Sequence, residues 1–385
     1  FRKMSVIARV EGVFFLFFLT ISALIGSVFV ILPAALLLLA IPLRCTHTLY
    51  RCIVDAVATV WFTAAAGLLE LGSRIVISGD LPQGDSFVRL LIANHNSRID
   101  WMYIWCLAVR TRSAGALSIA LKSSLRSVPF FGWAMQAFLF VFLTRRDRTA
   151  DITALQSTVG YCVNTLRAPL LFLLFPEGTD LTQSAVERAQ AFSRERQLPL
   201  YEHVLHPRVA GFAACVESMG DRLEEIVDVT VSYAPHADDR GVPRWRPSEH
   251  SVLRGRWPRT VLMQVERFPR AKLPAQPTEG ALSEWLKDRW SRKEEVLKSR
   301  AVLDIHDGAA AARAGCVCPV AVRLNHAAAI GTCLGLAGLL LWGLWVSVLL
   351  RAYTAAGCGL LAVLSAGAGL DGLEMRSKLA RVPMM

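Results

Sequence analysis

An apolar run at residues 87–93 leads directly into Asn94-His95-Asn96-Ser97-Arg98-Ile99-Asp100. An imidazole at the end of a buried strand, with a carboxylate five residues on, is a pairing suited to general-base chemistry on an alcohol. On one continuous helix, residues five apart point about 140° apart and would not share a face. If His95 precedes the helix and Asp100 lies in its first turn, the ring folds back onto the carboxylate. Asp100 then orients the ring and stabilises an imidazolium, leaving the other nitrogen to take a proton. The same residues also read as Ser97-x-x-Asp100, a helix-capping pattern, beside an ordinary loop histidine.

A second strand-like run, residues 170–175, ends in Pro176-Glu177-Gly178-Thr179. In a parallel sheet this puts Glu177 at the carboxyl edge, and Gly178 lets a ligand approach the backbone closely. The plainer alternative is a turn entering a helix. A third run closes on Phe142-Leu143-Thr144-Arg145, and Lys122 follows a fourth. Either cation could hold a phosphate, or be a solvated charge at a strand end.

These residues need a scaffold that gathers strand ends. Short apolar runs at 74–78, 87–93, 117–121, 137–143, 170–175, 226–233 and 260–265 read as strands. Helix-like stretches at 97–109, 151–167, 184–196 and 207–218 alternate with them. The alternation predicts an α/β fold, a mostly parallel sheet with flanking helices, in which ligands collect at the carboxyl ends of strands. Residues 279–300 close the region as a charged helix, with Asp288–Arg292 and Glu294–Lys298 pairs one turn apart.

Composition sets where this domain sits. Of 385 residues, 54% are apolar and only 19% charged, which excludes a disordered chain and a wholly water-soluble enzyme. The apolar residues gather at both ends. Residues 13–43 carry no charge and exceed a bilayer span. They read as a retained anchor, kinked at Pro33. Residues 56–69 are shorter and read as a re-entrant or interfacial helix. Residues 327–350 and 352–370, separated by Arg351, read as a transmembrane hairpin. The expected division is an anchor at 1–73, a catalytic domain at 74–300, a linker at 301–326, the hairpin at 327–370 and a basic tail at 371–385. Arg313, Arg323, Arg376, Lys378 and Arg381 flank the hairpin and predict a cytosolic position for both its outer ends.

The net charge of +11 suits an anionic membrane face or a phosphorylated substrate. The densest basic run, Arg240, Arg244, Arg246, Arg254, Arg256 and Arg259 with Trp245 and Trp257, suits a bilayer interface better than nucleic acid. Nine scattered cysteines, including Cys316 and Cys318, spell neither a disulfide framework nor a metal site and agree with a reducing compartment.

Together the motifs carry a resemblance. N-H-x-x-x-x-D at 94–100, the block at 142–145, Phe175-Pro-Glu-Gly-Thr179 and His206-Pro207 follow the order of four blocks in the 1-acylglycerol-3-phosphate acyltransferases. Asp100-Trp101-Met102, Lys122 with residues 128–136, Glu177-Gly-Thr-Asp-Leu-Thr182 and residues 201–208 resemble its lysocardiolipin acyltransferase-like branch. The resemblance runs from about Arg74 to Leu297. It implies that His95 is the general base and Asp100 its partner. It further implies that Arg145, Glu177 and Gly178 hold the glycerol-phosphate part of the acceptor, within the block that contains Thr179. Lys122 is marked as a phosphate-binding candidate, and Pro207 as shaping an acyl-chain path. The implied partners are acyl-CoA as co-substrate, a lysophospholipid (lysophosphatidic acid, lysocardiolipin or lysophosphatidylinositol type) and the bilayer, with no resident cofactor or metal. The implied setting is the endoplasmic reticulum or a mitochondria-associated membrane, with the catalytic domain facing the cytosol. Asp180 departs from the Arg that many relatives carry after the Thr. A carrier would need charges within its apolar segments, which carry almost none. A non-catalytic lipid-binding relative of the same fold is the alternative, and the intact His95, Asp100 and Glu177 weigh against it.

Overall fold

Leucine- and valine-rich runs bounded by charge or glycine become strands, and the alternation with helices is realised. The computed structural model describes residues 2–82, 84, 87–233, 246–274, 277–306 and 319–376. Arg240, Arg244, Trp245, Arg313, Cys316, Cys318, Lys378, Arg381 and the tail beyond 376 lie outside the described residues. The chain enters as α1 (Arg2–Leu24), continues through a π-helical stretch Ile25–Ile31 into α2 (Leu32–Ala40), and turns into α3 (Arg44–Gly72). β1 (Arg74–Gly79), β2 (Val88–Ala93), α4 (Asp100–Arg110), β3 (Leu117–Lys122), α5 (Phe131–Ala137) and β4 (Val141–Leu143) follow. Next come α6 (Arg148–Gly160), β5 (Leu170–Leu174), α7 (Gln183–Glu195), α8 (Val209–Met219) and β6 (Glu225–Tyr233). α9 (Glu249–Leu253), β7 (Thr260–Pro269) and α10 (Glu279–His306) complete the sheet region. α11 (Val320–Val346), α12 (Val348–Ala366) and α13 (Gly369–Arg376) form the other end.

The seven strands make one sheet in the order β1-β7-β6-β2-β5-β3-β4. β6, β2, β5, β3 and β4 run parallel; β7 is antiparallel to β6, and β1 runs parallel to β7. β2 lies near the centre with every residue buried, so the segment after it is held at the middle of the carboxyl edge. Ala93 pairs with Val229, and Asn94 prolongs that pairing with its side chain. Its Nδ2 donates to Val231 O (3.0 Å), and Val231 N–H donates to its Oδ1 (2.8 Å).

Three elements differ from expectation for identifiable reasons. The helix expected at 56–69 extends over 29 residues as α3. The charges that interrupt its apolar pattern are paired: Arg51 meets Asp55 at 2.8 Å and Glu374 at 3.2 Å. Strand 137–143 shrinks to β4, because Ala137 ends α5 and Leu139 takes φ 56°. The break between the last apolar segments falls at Ser347, not Arg351. Ser347 is extended, and its hydroxyl accepts from Leu350 N–H at 3.2 Å, capping α12.

Among the described residues, four helical stretches are long and apolar enough to cross a membrane: Arg9–Ala40, Arg44–Gly72, Val320–Val346 and Val348–Ala366. The first two are 56% and 61% buried inside the protein, the last two 17% and 11%. The N-terminal pair therefore belongs to the packing of the domain. Phe62, Ala64, Ala65, Ala66 and Leu69 of α3 share one core with α4 and the sheet, the alanines letting the helices close in. The nonapeptide at 128–136 receives the opposite end of the chain. Gln136 accepts from Leu370 N–H (3.2 Å), and Arg126 makes a two-pronged contact with Asp371, both arms 2.8 Å.

Candidate active site

His95 leaves β2 just before the turn into α4, and Asp100 is the first residue of that helix. The chain therefore doubles back within five residues. His95 Nδ1 lies 3.1 Å from Asp100 Oδ2. The same oxygen accepts from Ser97 N–H at 2.8 Å, and Oδ1 accepts from the Tyr233 hydroxyl. Asp100 is fully buried, so all three donors act where water does not compete. The pairing is present; of the capping pattern only the Ser97 N–H to Asp100 bond is formed, because α4 begins at Asp100 itself, after Ile99, with no side-chain hydrogen bond at its N-cap. The ring stacks on Phe175, centroids 4.3 Å apart. His95 Nε2 has no protein partner among the described residues and remains for a substrate.

The backbone of His95 is pinned from both sides. Its N–H donates to Glu177 Oε1 (3.1 Å), and its carbonyl accepts from Leu181 N–H (2.8 Å). Glu177 also accepts from Trp290 Nε1 on Oε1 and from Leu205 N–H on Oε2, each at 3.1 Å. One carboxylate thus ties the ends of β2 and β5 to the 200–208 loop and to α10. Burial pushes its pKa up to about 7, although His95 and the three donors pull the other way. Burial, together with Asp100, also lifts the Tyr233 hydroxyl well above its ordinary range, so Tyr233 remains a donor to Asp100.

Glu177 and Arg145, both assigned to the acceptor by the resemblance, do not pair with one another. Arg145 sits at φ 61°, its N–H held by Asp151 Oδ2 at 2.7 Å. It lines a recess of about 430 Å³ with Arg146, Arg148, Arg208, Phe175 and Gly178. Asp151 and Glu279 are the acids there, and Glu279 already pairs with Arg148 at 3.1 Å, so the recess favours an anion. Phe175 is common to both places, stacked against the dyad and lining the recess. Gly178 adopts φ 72°, which strains any other residue. Arg208 N–H donates to Pro176 O at 2.8 Å, setting its side chain beside Gly178. Thr179 follows half-buried, and Pro207 is half-buried in the neighbouring loop. Lys122 ends β3 exposed and lines neither the dyad nor the recess. Asp180 faces Arg98 at 3.5 Å.

Sequence reasoning missed Asn94, Tyr233, Trp290 and Arg208. Tyr233 closes a strand pointing at the same edge, and Arg208 follows the His206-Pro207 pair; those were the available signals. The α10 helix realises one of its two expected pairs. Asp288–Arg292 is present at 3.0 Å, but Glu294 turns to the loop, accepting from the backbone N–H groups of Glu202, His203 and Val204. Arg289 and Lys293 are buried against Asp228, at 2.7 and 2.5 Å.

The family described as Acyltransferase matches residues 78–234, and that described as Acyltransferase C-terminus matches 251–299. The chain is similar to Lysocardiolipin acyltransferase 1 of Danio rerio, 39% identical over 75% of this chain and 71% of that protein. Its counterpart in Mus musculus is 36% identical, covering 75% and 73%. Lysophosphatidylinositol acyltransferase 10 of Caenorhabditis elegans is 31% identical, covering 74% and 70%. Among solved structures, the 1-acyl-sn-glycerophosphate (LPA) acyltransferase PlsC from Thermotoga maritima aligns with a TM-score of 0.42 at 18% identity, over 76% of this chain and 98% of that one.

Proposed function

The chain belongs to the acyltransferase family, in its lysocardiolipin acyltransferase-like branch, and we propose that it transfers a fatty acyl group from acyl-CoA to a free hydroxyl of a lysophospholipid in a membrane. The observation that carries this reading is the buried His95–Asp100 pair, 3.1 Å apart, with the second ring nitrogen left for substrate. With Nδ1–H donated to Asp100, Nε2 is the basic nitrogen. It removes the proton from a glycerol hydroxyl, whose oxygen attacks the thioester carbonyl. The tetrahedral adduct collapses with cleavage of the C–S bond, and CoA departs as thiolate and receives the proton from the imidazolium. Asp100 stabilises the charged ring while it exists. Transfer is direct within a ternary complex, since no Gly-x-Ser-x-Gly elbow occurs in the sequence to offer an acyl-serine.

The arginine recess beside Phe175 suits the acceptor phosphate, with Arg145 supplying a planar two-pronged donor. Glu177, enclosed by three donors, acts on this reading by holding His95 in place. The apolar helices hold the domain at the bilayer, and the flanking Arg and Lys residues favour a cytosolic position for it. The test is acyl transfer by the purified chain, with radiolabelled acyl-CoA and a panel of lysophosphatidic acid, lysocardiolipin and lysophosphatidylinositol. His95→Ala lowers turnover by about 10²–10⁴-fold; near-normal turnover in that variant ends the general-base assignment.

A further inference from the structure

Away from the dyad, a cavity of about 800 Å³ lies between the end of α3, the start of β1 and the first turns of α11. The two helices cross closely beside it: a Cβ placed on Gly67 would lie 2.8 Å from His326 Cβ. Because β1 runs opposite to β2, the Arg74 end of β1 lies at the same sheet edge as His95.

The lining has two characters. One side is apolar, with Leu71, Ile330 and Leu334, and Leu71 is 81% exposed. The other side is cationic. The Arg110 side chain is only 5% exposed. Its Nη2 donates to Glu70 Oε1 (2.8 Å) and Ile75 O (3.2 Å), while Nε and Nη1 have no partner among the described residues. His326, 7% exposed, has Nδ1 4.0 Å from Glu70 and its Nε2 unpartnered. Buried guanidinium donors without acceptors are destabilising, so the arrangement calls for an anionic acceptor. Arg323 at the rim adds a further positive charge, and Glu70 is already committed to Arg110.

We infer that this cavity holds one anionic glycerophospholipid, its phosphate on Arg110, His326 and Arg323 and an acyl chain along Ile330 and Leu334. The lipid is a bound component and not the molecule acylated at His95. The inference rests on the membrane attachment proposed above. Its test reads binding without turnover, so failure of either reading is separable from failure of the other.

The full chain in detergent is titrated with dioleoyl phosphatidylglycerol, dioleoyl phosphatidylcholine or inorganic phosphate, followed by native mass spectrometry and thermal unfolding. Two variants probe the cavity. Gly331→Trp enters the space from α11, where an added Cβ meets nothing within 4 Å; Arg323→Gln removes the rim charge without touching the buried pair. Phosphatidylglycerol is expected to be retained at one copy, about tenfold more tightly than phosphatidylcholine, and to weaken by about tenfold or more in each variant. Equal retention of the two lipids, or unchanged retention in Gly331→Trp, overturns the proposal. So does a stabilisation fully reproduced by inorganic phosphate, which assigns the arginines to a free anion.

Discussion

Glu177→Gln separates a residue that contacts the acceptor from one that holds the base. Burial keeps the Glu177 carboxyl near 7 instead of its ordinary 4.5, so the folded protein retains a proton that the unfolded chain releases first. The stability contributed by this group is complete below about 4.5 and is lost as pH rises through about 7. Between about pH 5 and about pH 8 the loss is about 2–3 kcal/mol, or about 5–10 °C in Tm for a domain of this size. Gln does not titrate, so this component of the pH dependence disappears in the variant. The substitution also has a fixed cost. A protonated carboxyl keeps a lone pair on each oxygen, whereas the amide nitrogen presents only hydrogens to Leu205 N–H, a mismatch of about 1–3 kcal/mol. The variant is therefore less stable than the parent at acid pH, and the two curves converge as pH rises. Chemical denaturation across this range measures the slope, and steady-state kinetics with each substrate varied in turn completes the test. Parallel stability curves refute the burial argument. A KM increase confined to the lysophospholipid, with the stability slope unchanged, returns Glu177 to the acceptor and refutes its placement as a clamp.

Tyr233→Phe removes one of three donors to Asp100 and is expected to lower kcat about tenfold with little change in either KM; wild-type kcat would show that Ser97 and His95 suffice. Arg145→Lys keeps the charge but loses the planar fork, so the lysophospholipid KM rises while that for acyl-CoA holds. A rise confined to acyl-CoA would give the recess to the CoA phosphates. In sealed microsomes, externally added protease is expected to cleave within residues 180–300, and protection of that region would place the domain on the lumenal side.

The sheet and its catalytic edge were legible because buried parallel strands are short, continuous apolar runs with abrupt polar ends, and each end announces a candidate. What escaped was whatever depends on partners distant in sequence. Glu177 and Arg145 both follow apolar strands, and the resemblance assigned both to the acceptor. Yet the 200–208 loop and Trp290 enclose the carboxylate first, and no local pattern around Glu177 encodes them. α3 was read too short because Arg51 and Asp55 look like a polar boundary until Glu374, more than 300 residues away, is seen to complete their pairing. In the same way the charges of α10 were read only as pairs one turn apart along the helix, while Asp228 on β6 draws Arg289 and Lys293 inside.

Asp100 shows how one carboxylate serves the turn as well as the ring. By accepting Ser97 N–H it closes the turn between β2 and α4, although the helix starts at Asp100 itself and carries no side-chain cap. That same bond fixes the carboxylate relative to β2, so the ring one step past the strand meets an acceptor that is already immobile. Were Asp100 held only by His95, its orientation would drift with the ring it is meant to orient. Held by Ser97 and Tyr233 as well, it presents one lone-pair direction to Nδ1, and the tautomer that leaves Nε2 basic is favoured before substrate arrives. Asp100→Asn tests the point through the tautomer. Oδ2 serves both His95 Nδ1 and Ser97 N–H, so an amide nitrogen in that place offers Nδ1 a donor and also takes the acceptor from Ser97. With the nitrogen at Oδ1, the charge that stabilises an imidazolium is lost all the same. On that account turnover falls by about 10³–10⁴-fold while the fold persists. Full turnover in the Asn variant would reduce Asp100 to its role in the turn.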